Sequence, residues 1–467
     1  MRIVFRMLMI FLLLTCYKSL AGQTENPEIS SDGIVKNTEI YGFIRGGCYA
    51  ALDKDDSNTP YMPSAFSDLA LKINTSNDVN FRAFADMRFR YGVEFQEPAS
   101  SIYLHEAYVK VYGKKWDIAA GQQIIKWGKT DFVNPVSRLN PQNYIIRSPE
   151  REDMDMGNIM ADFKLHPFNF MSFEAALVPY YRSSVLLIDP IPIPEFVTIN
   201  QINSLLSDKE MFSYGLKTDL RIKHIDASIS WFEGFDPMPG MKLTSFILEI
   251  SGTVPQPLVE FSFKPYKTRV IGFDFESSIA DFGIRGETAW SDPLLSYEEF
   301  EYVPLPEISW VTGVDYSINN WRFMIEYSGK SVLDYTTPSA EPVFGTELDF
   351  TMIGQLVADP GFDIGEYIRQ QVSAFNRLYN YQIERCYHSF GTRIETDLAY
   401  GRLAPSLNAM YNITSKDLVL IPEIKIKPSD RLSIITGFEY YRGIDGSLYD
   451  LVDDFMNNFY AAIRIDF

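Results

Sequence analysis

The chain is short of nearly everything that catalysis and metal binding draw on. Its 467 residues hold three cysteines and four histidines. His105, His166, His224 and His388 form no i, i+4 pair with a glutamate between, so the zinc-protease pattern is missing. No Gly-x-Ser-x-Gly elbow occurs. Gly329-Lys330-Ser331 ends like a phosphate loop, but Met324 stands where the upstream glycine is needed. His388 and Ser389 are adjacent, and neighbours on a strand point to opposite faces. The chain is therefore read as no enzyme, with no catalytic residues, no cofactor and no metal site. Cys16 lies in the leader, and Thr15 before it suits a lipoprotein poorly. Cys48 and Cys386 fall in predicted strands and are read as separate thiols, since pairing depends on a geometry that sequence does not give. Positive charge is scarce as well. Lys and Arg number 42 against 61 Asp and Glu, a net charge of -19, which argues against a nucleic-acid partner. Beyond the leader no run of 18 apolar residues exists, so no helical membrane span is readable.

What is present begins with an export signal. Arg2 and Arg6 precede and interrupt the apolar stretch Val4 to Leu14, and Ser19-Leu20-Ala21 is a small-x-small cleavage site. Residues 1–21 are read as a signal peptide, 22–38 as a polar periplasmic lead-in and 39–467 as one body.

That body alternates. Phe459, Ala461, Ile463, Ile465 and Phe467 fall on one side of the last strand, and Tyr460, Ala462, Arg464 and Asp466 on the other. Leu69, Leu71 and Ile73 oppose Asp68, Lys72 and Asn74. Phe81, Ala83, Ala85, Met87, Phe89 and Tyr91 oppose Arg82, Asp86, Arg88 and Arg90. An arginine facing lipid at mid-bilayer costs about 2–4 kcal/mol on a membrane strand, so there a face with three arginines belongs to a wet interior, whereas in a soluble protein it would simply be solvated. Trp310 to Ile318 and Trp321 to Tyr327 repeat the pattern about Asn319-Asn320, a pair suited to a tight turn. Leu418–Ile426 and Leu432 to Tyr440 form a hairpin around Pro428-Ser429-Asp430. Aromatic residues make up 15% of the chain, as girdles at two membrane interfaces require.

An open sheet of this size would expose long edges, and in lipid closure is obligatory. The expected fold is all-β: a single closed antiparallel transmembrane barrel of about 16 strands, within roughly 14–18. Long extracellular loops are expected at Lys129 to Asp155, Ile188 to Lys209, Asp292 to Pro306 and Ser331 to Arg385, and a loop at Ser57 to Ser64. Ile364, Tyr367, Ile368, Val372, Phe375 and Leu378 recur at helical spacing over 363–378. Both a helix on the rim and a helix plugging the lumen fit that spacing.

One stretch is more specific. Glu106-Ala107-Tyr108 leads to Gly121-Gln122-Gln123, then to Trp127-Gly128, Asn134-Pro135 and Asn140-Pro141. This resembles outer-membrane channel proteins marked by "EAY…GRQ…WG…NP", a group related to alginate-export and porin-like barrels. The terminal Phe467 likewise resembles the assembly signal of bacterial outer-membrane barrels. Glu106, Gly121, Gln123, Trp127 and Gly128 match the pattern, whereas Gln122 replaces its arginine and weakens any inherited anion preference. The resemblance implies a barrel with a long loop after the "WG" strand. From the residues themselves, Gly121 suits a close approach of strands and Trp127 a membrane-interface position.

The function expected is a porin-like channel passing small polar or charged solutes through a charged lumen. Its lining is assigned to Arg82, Asp86, Arg88, Arg90, Arg285, Glu287, Arg322, Glu326, Arg393 and Arg464. Lys129, Asp131, Arg138, Arg147 and Arg151 mark a loop that either narrows the pore or lies solvated on the surface. The alternatives are a plugged transporter of a hydrophobic or polymeric substrate and a closed structural or adhesion barrel. The partners expected are outer-membrane lipid, the barrel-assembly machinery, small polar solutes and, as among porins, further copies of the chain. The location expected is the bacterial outer membrane.

Overall fold

The computed structural model describes residues 37–52, 59–77, 80–188, 190–191, 193, 196–202, 205–206, 211–251, 254–339 and 363–467, with no side-chain description for 248–257. The expected signal peptide and all but the last two residues of the lead-in fall outside these.

Eighteen antiparallel strands form one sheet, each paired with the next barrel strand along the chain. The first, Asn37–Leu52, also pairs with the last, Asn458–Asp466: Phe43 lies opposite Asp466 and Ala50 opposite Phe459. Gly42 and Phe467 exchange backbone hydrogen bonds of 3.1 and 3.0 Å just beyond this pairing. The sheet is thus closed, and no barrel strand is left with an unpaired edge.

The alternation of the sequence becomes the two faces of this wall. Ile102 (77% exposed), Ile229 (59%), Ile325 (58%) and Ile463 (54%) point outward and form part of an apolar outer belt. Their neighbours Ser228, Ser230, Met324, Glu326 and Ala462 are buried inside the barrel. An apolar belt on a closed barrel fits the hydrocarbon layer of a membrane. One end of the barrel carries short turns. Ile318 pairs directly with Trp321, and Asn319 takes a φ of 51° there, as a two-residue hairpin turn demands. The other end carries the long connections, where Gly240–Ser251, Val254–Lys264 and Val197–Asn200 add a separate three-stranded sheet.

The barrel has two strands more than the sequence pattern suggested. Met171–Val178, Ser213–Ile222 and Ile225–Phe235 are among those it left unmarked. The reason is physical. Ala176, Val178 and Phe232 face inward there yet are apolar, because a loop inside the barrel packs on them. At those positions both faces are apolar and the polar–apolar beat is interrupted, although Glu174, Ser228 and Ser230 keep it elsewhere on the same face. Two boundaries also move. Pro60–Ser76 is one strand, so the expected loop at Ser57 to Ser64 ends at Pro60. The alternation of Ile394 and Leu398 against Arg393, Glu395 and Asp397 suggests a strand through Leu398, but Cys386–Thr396 stops short of it, and Leu398 is bridged to Leu403 across a turn.

The helix forms as its spacing predicts, over Ile364–Tyr379, with Asp363 as N-cap accepting from Glu366 N at 3.1 Å. It sits at the long-loop end. Val372 joins Leu186, Ile188, Met241 and Phe263 in a buried apolar cluster. Asn376 pins the helix through bonds to Met241 N, Met241 O and Glu301 O at 2.7–2.8 Å. Cys48 and Cys386 are both free.

Candidate functional site

The segment 124–157 folds into the barrel. Its first half is held by a small apolar core: Trp127, Val136 and Leu139 pack on Met160, Ala176, Val178, Phe232, Val270 and Ala289 of the inner wall. The two Asn-Pro pairs shape it. Asn134 donates to Trp127 O at 2.6 Å and accepts from Ser137 N. Asn140 accepts from Ile125 N at 2.7 Å and donates to Gln123 O and Met156 O. Glu106 accepts from Ile124 N at 3.0 Å, and Gln123 donates to Met160 O.

Trp127 therefore does not sit at a membrane interface. It is 2% exposed, and its indole N–H donates to Glu174 at 3.0 Å inside the barrel. The interface reading failed because an aromatic ending a strand looks the same in sequence whichever way the chain then turns. Gly128 has a φ of 94°, and a Cβ there would run into Asn134 and Glu287. A Cβ at Gly121 would meet the carbonyl of Ala107 on the paired strand. Gln122 does not face the lumen; it caps the carbonyls of Leu104 and His105 where that strand is irregular.

Two opposite stretches of wall grip the loop. The first comprises the strands Asn37–Leu52, Pro60–Ser76, Phe81–Glu94 and Asn458–Asp466. Arg45 bridges Asp68 and the loop's Asp153, both at 2.6 Å, and Glu150 at 3.0 Å. Arg88 binds Asp86 at 2.8 Å and reaches Asp153. Arg90 binds Glu94 at 2.6 Å, Asp68 at 2.9 Å and the Arg147 carbonyl at 2.6 Å. Arg464 holds Glu150 at 2.5 Å, and Arg147 crosses to Glu439 at 2.5 Å. The guanidiniums also lie on rings: Arg464 over Phe43 and Arg90 over Phe66, each at 3.9 Å, and Arg147 over Tyr49 at 4.2 Å. Burial raises an ordinary aspartate, but Arg45, the Ser148 hydroxyl and Arg88 outweigh it and hold Asp153 below its ordinary 3.8. Burial likewise works against the Arg147 charge, and Glu439 overcomes it.

The second stretch comprises Lys267–Ile279, Phe282–Pro293, Glu307–Ile318 and Trp321–Val332. Here the wall supplies carboxylates and the loop supplies bare backbone. Glu287 accepts from Lys129 N and from Thr130 N, the latter at 2.6 Å. Glu326 accepts from Asp131 N at 2.9 Å and Phe132 N at 3.0 Å. Asp131 returns the grip, ion-paired to Arg285 and, at 3.7 Å, to Arg393. Arg285 also binds Asp315.

The residues expected to line a lumen thus divide. Asp86, Arg88, Arg90, Arg464, Glu287, Glu326 and Arg285 are engaged in holding the loop or one another. Arg393 is partly open, with Nε on Asn408 at 2.7 Å. Arg82 binds Asn74 at 2.9 Å, and Arg322 is half exposed beside Glu395 at 3.5 Å. Of the loop residues, Lys129 reaches Glu276 at 3.4 Å and Arg138 reaches Asp236 at 3.4 Å, while Arg151 is exposed. Arg45, which binds the most carboxylates, was not singled out in sequence. Its place in the inward register, opposite Asp68 and Arg464, was the available signal.

No protein-family model matches the sequence, and no curated protein does. Solved structures do resemble it. OccAB1 of Acinetobacter baumannii aligns with a TM-score of 0.51 at 11% identity, over 95% of this chain and 99% of that one. Pseudomonas aeruginosa OpdK, solved with vanillate, gives 0.53 at 7% identity, over 93% and 100%. Pseudomonas aeruginosa OccK9 (OpdG) gives 0.52 at 6% identity, over 93% and 99%. At these identities the likeness is one of fold, and with its closed sheet and apolar outer belt that fold is a bacterial outer-membrane β-barrel.

Proposed function

We propose that the chain is a porin-like channel, passing small polar or charged solutes through the part of the lumen that segment 124–157 leaves open. The observation that carries this is the loop itself, folded into a closed membrane barrel and tied to both walls, with Asp131 and Arg393 each about one-third exposed at its free edge. A constriction built this way selects by charge and width while letting solutes leave. In this reading residues 1–21 direct export, Phe467 marks the barrel for assembly, and the long-loop end faces outward. The role is transport rather than catalysis.

A second reading is a gated or plugged transporter. The apolar core that anchors Trp127 fills lumen space, and the cluster around Val372 lies at the long-loop end. Single-channel recording of the refolded mature chain in a planar bilayer separates the two. Steady open steps are expected from a channel. Silent bilayers containing well-folded, heat-modifiable barrel would refute it and favour the plugged form.

A further inference from the structure

We propose that the lumen selects small cations, inorganic or organic, over anions. The inference rests on the channel reading and concerns the charge left over where the two stretches of wall meet the loop.

The arginine-rich stretch offers an anion little. Arg45, Arg88, Arg90 and Arg464 each lie against carboxylates, and the loop brings Glu150 and Asp153 to complete the set. Arg82, on Asn74, is the one arginine there held by a neutral acceptor. An anion would have to displace carboxylates that are already in place and desolvated, and breaking such buried pairs is costly.

The opposite stretch is not balanced in this way. Glu287 and Glu326 are satisfied by neutral backbone amides. Asp274 accepts from the Ser228 hydroxyl. Asp274 and Glu287 lie directly opposite each other in register, and each has one buried oxygen, Oδ1 and Oε2, with no hydrogen-bond partner among the described residues. Of the bases nearby, Arg285 is committed to Asp131 and Asp315, Lys129 to Glu276 and Lys217 to Asp219, while Arg393 is divided between Asn408 and Asp131. Hydrogen bonds from neutral donors satisfy a carboxylate without cancelling its charge. In a low-dielectric wall that charge acts across the water beside it. Glu276, whose side chain is 53% exposed, stands on the same inward face and presents this excess to solvent.

The test is the reversal potential of the refolded mature chain in a planar bilayer under a KCl gradient, for wild type, Asp274→Asn and Glu276→Gln. Neither residue bonds the loop's backbone. Asn at 274 still accepts from Ser228 and offers a donor to Glu287. The wild type is expected to favour potassium over chloride, and each variant to lower that ratio by about twofold with open steps retained. Steady steps with chloride preferred, or a ratio unmoved in both variants, would overturn the inference and leave the channel standing. Folded barrels that carry no current would overturn the channel reading, and this inference with it.

Discussion

On one side of the lumen, arginines of the wall meet carboxylates carried by the loop; on the other, carboxylates of the wall meet the loop's backbone amides. The first arrangement, around Arg45, Asp68, Glu150 and Asp153, is a network of full charges in a nearly dry setting. Its members depend on one another, because removing one leaves the rest buried and unbalanced. The second, at Glu287 and Glu326, needs nothing from the loop's side chains at residues 129, 130 and 132. It tolerates sequence change in the loop as long as the backbone keeps its path. One side therefore reads the loop's residues, and the other, apart from the ion pairs of Asp131, reads its course.

The sharpest way to break this contrast is Arg45→Met. It removes the 2.6 Å partner of both Asp68 and Asp153, leaving them Arg90 and the more distant Arg88, and a buried pair broken from one side costs about 3–5 kcal/mol. The temperature at which the folded, fast-migrating band disappears on a gel is expected to drop markedly. Arg45→Lys should fall between, since a single ammonium cannot reproduce the several directed bonds of a guanidinium. An unchanged midpoint for both would show that the network does not hold the barrel. The opposite side predicts a smaller loss. Glu326→Gln keeps an acceptor for Asp131 N or Phe132 N but gives up the charge, so a weakening of about 1–2 kcal/mol is expected. It should appear as noisier open-channel current from a looser loop, with little change in barrel melting.

On the first side, acid acts through Asp153. Asp153 is held below its ordinary 3.8, so its contribution to stability is complete above pH 3.8. It declines as the pH falls below that value and is gone once the folded carboxyl takes up its proton. The lead in melting midpoint of the wild type over Asp153→Asn is therefore expected to stay level from pH 6 to about 3.8 and then to shrink. A lead that does not shrink would assign the acid response to other carboxylates.

How much of this was legible in the chain follows from what each side does. The arginine face of Phe81–Glu94 was plain, because charges at 82, 86, 88 and 90 alternate with apolar residues and a membrane strand has only one place for them. The closing strand and the helix at 364–379 were plain for the same reason: a single periodicity ran uninterrupted. The strands through Ala176 and Phe232 were not, since the loop that covers them removes the polar beat. Trp127 was misplaced because its partner, Glu174, lies 47 residues along the chain, and no local pattern announces a contact of that range. The amide grip of Glu287 and Glu326 is invisible in principle. Sequence names the carboxylates, but any residue supplies a backbone N–H.

The smallest effect expected tests the side that reads mainly backbone. Asp274 and Glu287 face each other across paired strands with one bare oxygen apiece, and like charges in that relation oppose folding by roughly 0.2–1 kcal/mol. Asp274→Asn removes the repulsion, keeps the acceptor for Ser228 and places an amide where it can donate to Glu287. The melting midpoint is therefore expected to rise slightly, and more at neutral pH than in acid, where protonation already relieves the pair. A fall instead would mean that the two carboxylates are bridged in the membrane, by a proton or a bound cation, and that the bridge is worth more than the repulsion. The uncancelled charge on this side would then be smaller than the contacts imply, and the two sides of the lumen would differ in how they hold the loop but not in how they meet a passing ion.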